Sequence, residues 1–276
     1  MELSGSYFIY SGVSSRQYGL IFANVETDRM VSLAGDIRPT VMFNKLDNRN
    51  YLSAYDHSEA ALQFDVEVVT DDDSCVDVFK ARDIERWLFH QTGFQKLYVD
   101  PTCDTHGETL ELVDGTEKRL YLNCVFTNPQ RIEGNGGVVG YRFTVECDSS
   151  MAWQDAVVYE FDLSSIATGD PIITVPVDTD LNDYVYPKVT IQMGSSGGDI
   201  TIVNQADDEA RLTSFVNLTG GITFTMNGNG VNYISGDNYL KFSDRNFIRL
   251  LDGDNKISIT GDVKTISFEF QNRRYA

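Results

Sequence analysis

A chain of 276 residues with 42% hydrophobic and 12% aromatic side chains has enough apolar material for two packed domains and lies outside the disordered and collagen-like classes. Its formal net charge of -19 argues against a protein that grips nucleic acid, because phosphate binding needs clustered Lys and Arg. No stretch approaches the ~20 apolar residues of a membrane-spanning helix. The opening MELSGSYFIYSG has no basic start running into an apolar core, so synthesis in the cytosol without an export signal is expected.

The first clear element is ALQFDVEVV (residues 61–69), where Leu62, Phe64, Val66 and Val68 alternate with polar residues as in a half-buried strand. Asp71, Asp72 and Asp73 follow, then a helix over about 76–92. Ala81, Ile84 and Leu88 fall on one face beside Trp87, the acidic run sits at the positive end, and Gly93 is the stop. RLYLNCVF and YRFTVEC then read as two strands, with Leu120, Leu122, Cys124 and Phe126 on one face and Tyr141, Phe143, Val145 and Cys147 on another. The turn-rich NPQRIEGNGGVVG between them suggests a hairpin with a long connection.

The pattern loosens over residues 149–170, and the domain boundary is placed near residue 155. Beyond it, YPKVTIQ, DITIVN, ARLTSFVNL, GITFTMNG, YLKF, NKISITG and KTISFEF alternate between Gly, Asn and Asp clusters, as in an antiparallel sandwich. The expected architecture is therefore mainly β: an N-terminal β-rich domain with one helix over residues 1–155 and an all-β domain over 156–276.

Candidate chemistry is sparse. In LLDGDNKISITG, Asp252, Asp254 and Lys256 occupy the alternating positions of a calcium loop, but the third is a cation, Ile257 stands where the glycine belongs and Val263 where the glutamate belongs. A turn that launches a strand needs less: Asp252 and Gly253 reverse the chain, Asn255 tolerates left-handed geometry, and Ile257 and Ile259 point inward. Cys103 and His106 could begin a zinc site, yet the remote partners Cys124 and Cys147 lie on apolar strand faces. The three histidines, His57, His90 and His106, sit in no nucleophile motif, and 41 acidic residues single out no catalytic pair. No catalytic residue, metal or cofactor is expected. Tyr184, Tyr186, Tyr233 and Tyr239 could stack on a sugar, and Tyr233 with Tyr239 are the candidate glycan contacts of a carbohydrate-binding alternative.

Several segments, in order, resemble the distal tail proteins of long, flexible-tailed bacteriophages. They are FIYSGVSSRQYGLIF (8–22), ERWLF (85–89) before Lys96-Leu97-Tyr98, GVVGYRFTVECDSSMAWQ (137–154), YPKVTI, DITIVNQ, and LLDGDNKISITG before ISFEFQNRR. Gly253, Asn255, Ile257, Ile259 and Gly261 are similar to the family's stretch before the last strand of a galectin-like sandwich. Residues 24–60 depart from the pattern; in the family this region extends from the ring and clasps a neighbour.

The resemblance implies a non-enzymatic hub in the virion, at the distal end of the tail, synthesised in the host cytoplasm. The hub is a homo-hexamer whose ring joins the tail tube protein to tail-tip or baseplate proteins, including receptor-binding ones, and leaves a bore through which DNA passes without specific binding. First domains form the ring, with Tyr7, Tyr10, Tyr18 and Leu20 as candidate inter-subunit contacts, and the sandwiches project outward. The acidic charge would serve either solubility or a bore that does not hold phosphates.

Overall fold

The computed structural model describes residues 7–25, 36–44, 49–58, 61–72, 74–100, 112–113, 116–117, 120–134, 136–164, 170–180, 183–207, 209, 211–228 and 232–274. The chain divides into two compact units, Met1–Gln154 with Arg274–Ala276, and Asp155–Arg273.

In the first unit, β1 (Tyr7–Tyr10) turns into β2 (Val13–Ser14), a short 3-10 helix follows, and β3 (Leu20–Val25) runs on. The serine pair of FIYSGVSSRQYGLIF shapes this entry. Ser14 accepts a hydrogen bond from the Arg16 amide and caps the 3-10 turn, while the buried Ser15 hydroxyl accepts from the Phe8 amide at 2.9 Å. Next come the antiparallel hairpin β4 (Asp36–Asn44) and β5 (Arg49–Ser58), then β6 (Gln63–Thr70).

The helix α1 (Val78–Phe89) buries Ala81, Ile84, Trp87 and Leu88, the face its spacing predicts. Its cap differs from expectation. Asp77, not the acidic run, accepts from the Phe79 and Lys80 amides at 2.8 and 3.0 Å, and Asp72 instead accepts from the Ser74 amide within the turn before the helix. Then follow β7 (Gln95–Asp100), the short pair β8 (Leu112–Val113) and β9 (Thr116–Glu117), β10 (Leu120–Gly134), β11 (Gly137–Cys147) and β12 (Ala152–Gln154).

The main sheet runs β2-β1-β7-β10-β11-β6-β3, with β12 against β10. The run between the two strands of the predicted hairpin is not a long loop. β10 continues through it to Gly134, absorbing the irregularity in a register shift between Thr127 and Gln130 where Asn128 has φ 52. A bulge of this kind leaves one strand residue unpaired and lets pairing resume beyond it. One core joins helix and sheet through Phe8, Phe22, Val66, Val68, Phe126 and Phe143 around the α1 face.

The second unit is a sandwich of two antiparallel sheets. β13 (Val157–Asp162), β14 (Ile172–Val177), β15 (Lys188–Met193), β16 (Gly198–Asn204), β17 (Leu212–Leu218), β18 (Thr223–Asn227), β19 (Tyr233–Ile234), β20 (Gly253–Thr260) and β21 (Val263–Phe270) follow in the chain. They form sheets of order β13-β21-β15-β18-β19 and β14-β20-β16-β17. A single apolar cluster draws Val175, Ile202, Phe215 and Ile257 from one sheet and Val189, Phe224, Ile266 and Phe268 from the other, so the two inner faces share a core. The edge strand β14 carries Pro176, which cannot donate to a further strand and blunts that edge.

Two sequence expectations change here. YLKF is not a strand: residues 236–241 form a 3-10 helix, leaving Tyr239 and Leu240 in solvent, and only Phe242 reaches the core, stacked on Phe215 at 4.8 Å. Asn255 is not a left-handed turn residue. It sits inside β20 at 0% exposure, where its side-chain oxygen accepts from the Leu251 amide at 2.9 Å and from Asn204 Nδ2 at 2.8 Å. Its own Nδ2 donates to the carbonyls of Leu251 and Gly253 at 2.7 and 3.0 Å. The reversal itself falls on Gly253 (φ 92), and the next on Gly261 (φ 109), where a Cβ would lie 2.3 Å from the Asp199 carbonyl oxygen. Asn255 thus serves as a buried amide clamp that satisfies the turn's backbone.

Candidate functional site

The N-terminal signature folds into an aromatic stack. Trp87 lies between Phe8 (centroids 5.6 Å apart) and Tyr18 (5.1 Å), and its indole Nε1 donates to the Tyr10 carbonyl at 2.8 Å. Tyr10 stacks on Phe126 at 4.0 Å and is fully buried, and Leu20 is fully buried too. Burial also pushes the Tyr10 phenol above its usual range. A contact with another subunit through Tyr10 or Leu20 would require opening this core, so those two side chains serve the protomer itself. Tyr7 and Tyr18 are only half-buried and stand at the surface. The Tyr7 hydroxyl donates to Asp71 at 2.7 Å, and the Arg16 guanidinium lies 4.4 Å from its ring centre.

Near the start of α1 lies a feature the sequence reading missed. Val78 and Phe79 are both 81% exposed, and among the described large apolar residues of the first unit only Phe94, at 50%, is exposed with them. The signal was present: Phe79 is two residues, about 200° around a helix, from Ala81 on the buried face. Further along the helix, Arg131 forks onto Glu85 at 2.6 and 3.0 Å and ties α1 to β10. Among the described residues β3 stands at one end of the main sheet, and the β4–β5 hairpin follows it in the chain. Residues 24–60, unassigned in the sequence, therefore contain an antiparallel hairpin.

Among the described residues no group of three or more His, Cys, Asp or Glu is placed to hold a metal ion. Cys103 and His106 lie outside the described residues. Asp252 accepts from the Thr179 amide at 2.9 Å, and Asp254 and Lys256 point outward from β20, so the three do not converge as calcium ligands would. Tyr184 is engaged by the Arg249 guanidinium, 3.7 Å from its ring centre. Arg249 in turn forks onto Asp207 at 2.7 and 2.7 Å in a buried ion pair. Tyr233 on β19 and Tyr239 on the 3-10 helix are 42% and 51% exposed.

Two compact units built of antiparallel sheets, with one α-helix among the described residues, define a mainly β protein. Residues 3–149 match the family described as phage tail protein N-terminal domain, and residues 151–270 the one described as phage tail C-terminal domain. The chain belongs to this family of phage tail proteins.

Solved structures share its fold. The SPP1 Dit protein, described as a paradigm of the hub adsorption apparatus in phages infecting Gram-positive hosts, aligns at TM-score 0.61 and 10% identity over 96% of this chain and 98% of its own. A chain of the phage P2 baseplate in its activated conformation aligns at 0.51 with calcium and 0.52 with strontium, at 10% identity over 97% of each chain. No curated protein matches the chain.

Proposed function

We propose that this tail protein is the distal hub of a long, flexible phage tail: six copies closed into a ring that joins the tail tube to tail-tip or baseplate proteins and leaves a channel for DNA. The observation that carries the reading is the end-to-end correspondence of both units with the SPP1 Dit hub, in a chain whose two halves also match phage tail domains in order. Ring closure supports it physically. A closed ring buries edges and apolar corners that a lone protomer leaves in water, and each heterologous contact is repeated around the circle. The acidic balance of -19 suits a bore that does not hold DNA phosphates. No enzyme family is indicated.

The ring contacts fall on Tyr7, Tyr18 and the Val78–Phe79 corner, with the β4–β5 hairpin reaching the neighbour. Native mass spectrometry of the purified full chain, with negative-stain imaging, is expected to give a hexamer with an open centre. Phe79→Asp places a carboxylate in the first turn of α1, where the helix dipole favours it, so the protomer keeps its fold. The same measurement should then show at least a tenfold rise in the concentration needed to assemble. A protein that stays monomeric with purified tail tube and tail-tip partners present contradicts the ring.

Exposed Tyr233 and Tyr239, beside Leu240 at 86% exposure, favour a second reading in which the sandwich holds host-surface sugars. A glycan array probed with the full chain is expected to show binding that Tyr239→Ala weakens by tenfold or more. Signal unaffected by that change removes these tyrosines from the site.

A further inference from the structure

Cys124 on β10 and Cys147 on β11 are direct cross-strand partners, and both are buried free thiols, at 0% and 6% exposure. Their place in the ladder follows from the neighbouring backbone bonds. The Asp148 amide donates to the Asn123 carbonyl at 2.9 Å, while the Cys147 amide turns the other way, to the Leu62 carbonyl at 2.9 Å. An amide of the residue after one partner bonding to the carbonyl before the other marks a non-hydrogen-bonded pair. In such pairs the Cα atoms lie about 4.5 Å apart and the side chains approach most closely. Disulfides span Cα separations of roughly 4.4 to 6.8 Å, so this site meets the requirement at its short end.

We propose that Cys124 and Cys147 are a redox pair that closes into a cross-strand disulfide when the chain folds or opens in the presence of a small disulfide oxidant. One thiolate attacks the oxidant to give a mixed disulfide and release one thiol. The second thiolate then displaces the other half, so the protein loses two protons and two electrons and the oxidant is reduced to two thiols. In the closed fold the exchange is slow, because burial keeps the oxidant out. Hydrogen bonding to Cys147 and burial also hold the Cys124 thiol protonated, far above the usual thiol range. The crosslink would pin the end of β11 from which the chain leaves for residues 148–155.

The test refolds the full chain from denaturant in a mixture of oxidised and reduced glutathione, quenches exchange with acid, unfolds the chain again in denaturant with iodoacetamide to block every remaining thiol, and maps the linked peptides by mass spectrometry. The expected result is a Cys124–Cys147 linkage in most molecules, with exposed Cys75 alkylated. The oxidised protein should also melt several degrees higher than the same sample after reduction, and Cys124→Ala should abolish that difference. Should that variant fail to fold, the peptide map of the unaltered chain decides alone. Equal alkylation of Cys75, Cys124 and Cys147 after oxidative refolding, or linkage to Cys75 or Cys103 instead, overturns the proposal.

Discussion

Replacing Arg249 with methionine is expected to destabilise the second unit by about 3–5 kcal/mol, measured as the shift of its urea unfolding transition, because the change strands a buried carboxylate. Asp207 and Arg249 keep only 3% and 8% of their side-chain surface in water, and the guanidinium gives Asp207 two hydrogen bonds, from Nε and Nη2, beside a longer one from the Glu209 amide at 3.1 Å. Glu209 adds a 3.0 Å contact from the solvent side, and Tyr184 covers the guanidinium face. The informative comparison is the double variant Arg249→Met/Asp207→Leu, which removes both charges and should recover most of the loss. If it is as unstable as the single change, the effect belongs to packing and not to the ion pair.

The same pair sets a pH dependence. Arg249 holds the Asp207 carboxyl below the ordinary carboxylate range, first through the hydrogen bond. A folded-state value below the unfolded one contributes stability that is fully present above the unfolded value of about 4. That contribution is lost as the pH falls below it through the folded value. In Arg249→Met the contribution is already gone. The stability gap between wild type and variant should therefore narrow as the pH is lowered from about 5 toward 2, and a gap that stays constant would contradict the assignment.

Trp87→Ala is expected to cost the first unit about 3–5 kcal/mol, from lost apolar burial and the cavity left between Phe8 and Tyr18. It also takes away the indole donor to the Tyr10 carbonyl. Trp87→Phe keeps a ring in the stack and loses the donor, so it should cost about 1–2 kcal/mol beyond the change in ring size. Calorimetry resolves the two units if they melt apart, and the loss should appear in the transition that Arg249→Met leaves in place.

How much of this was legible in the chain varies by element. The buried face of α1 follows from Ala81, Ile84, Trp87 and Leu88, because a 3.6-residue period needs nothing beyond the helix to be visible. The strands at 199–204 and 264–270 were legible for the same reason at period two, with Ile200, Ile202, Ile266 and Phe268 all inside. β13 and β14 went unread although VVYEFD and IITVPV alternate, because both are edge strands whose outward residues, such as Val158 and Ile172, are themselves apolar. Of the surface candidates, Tyr7 and Tyr18 could be distinguished from Tyr10 and Leu20 only once the sheet placed them, since all four lie in one aromatic-rich stretch.

By itself the sequence determined what depends on near neighbours: a mainly β chain, one helix with its apolar face, the inward residues of most sandwich strands, and an ordered set of segments that belongs to phage tail proteins. Only the tertiary structure decided what depends on residues far apart in the chain meeting in space. The Arg249–Asp207 pair joins positions 42 apart, Asn255 reaches both Asn204 and Val175, and Cys124 faces Cys147 through the register of the β10–β11 ladder. Such contacts leave no local period, for each is selected by the sheet register and by the cost of burying a polar group without a partner.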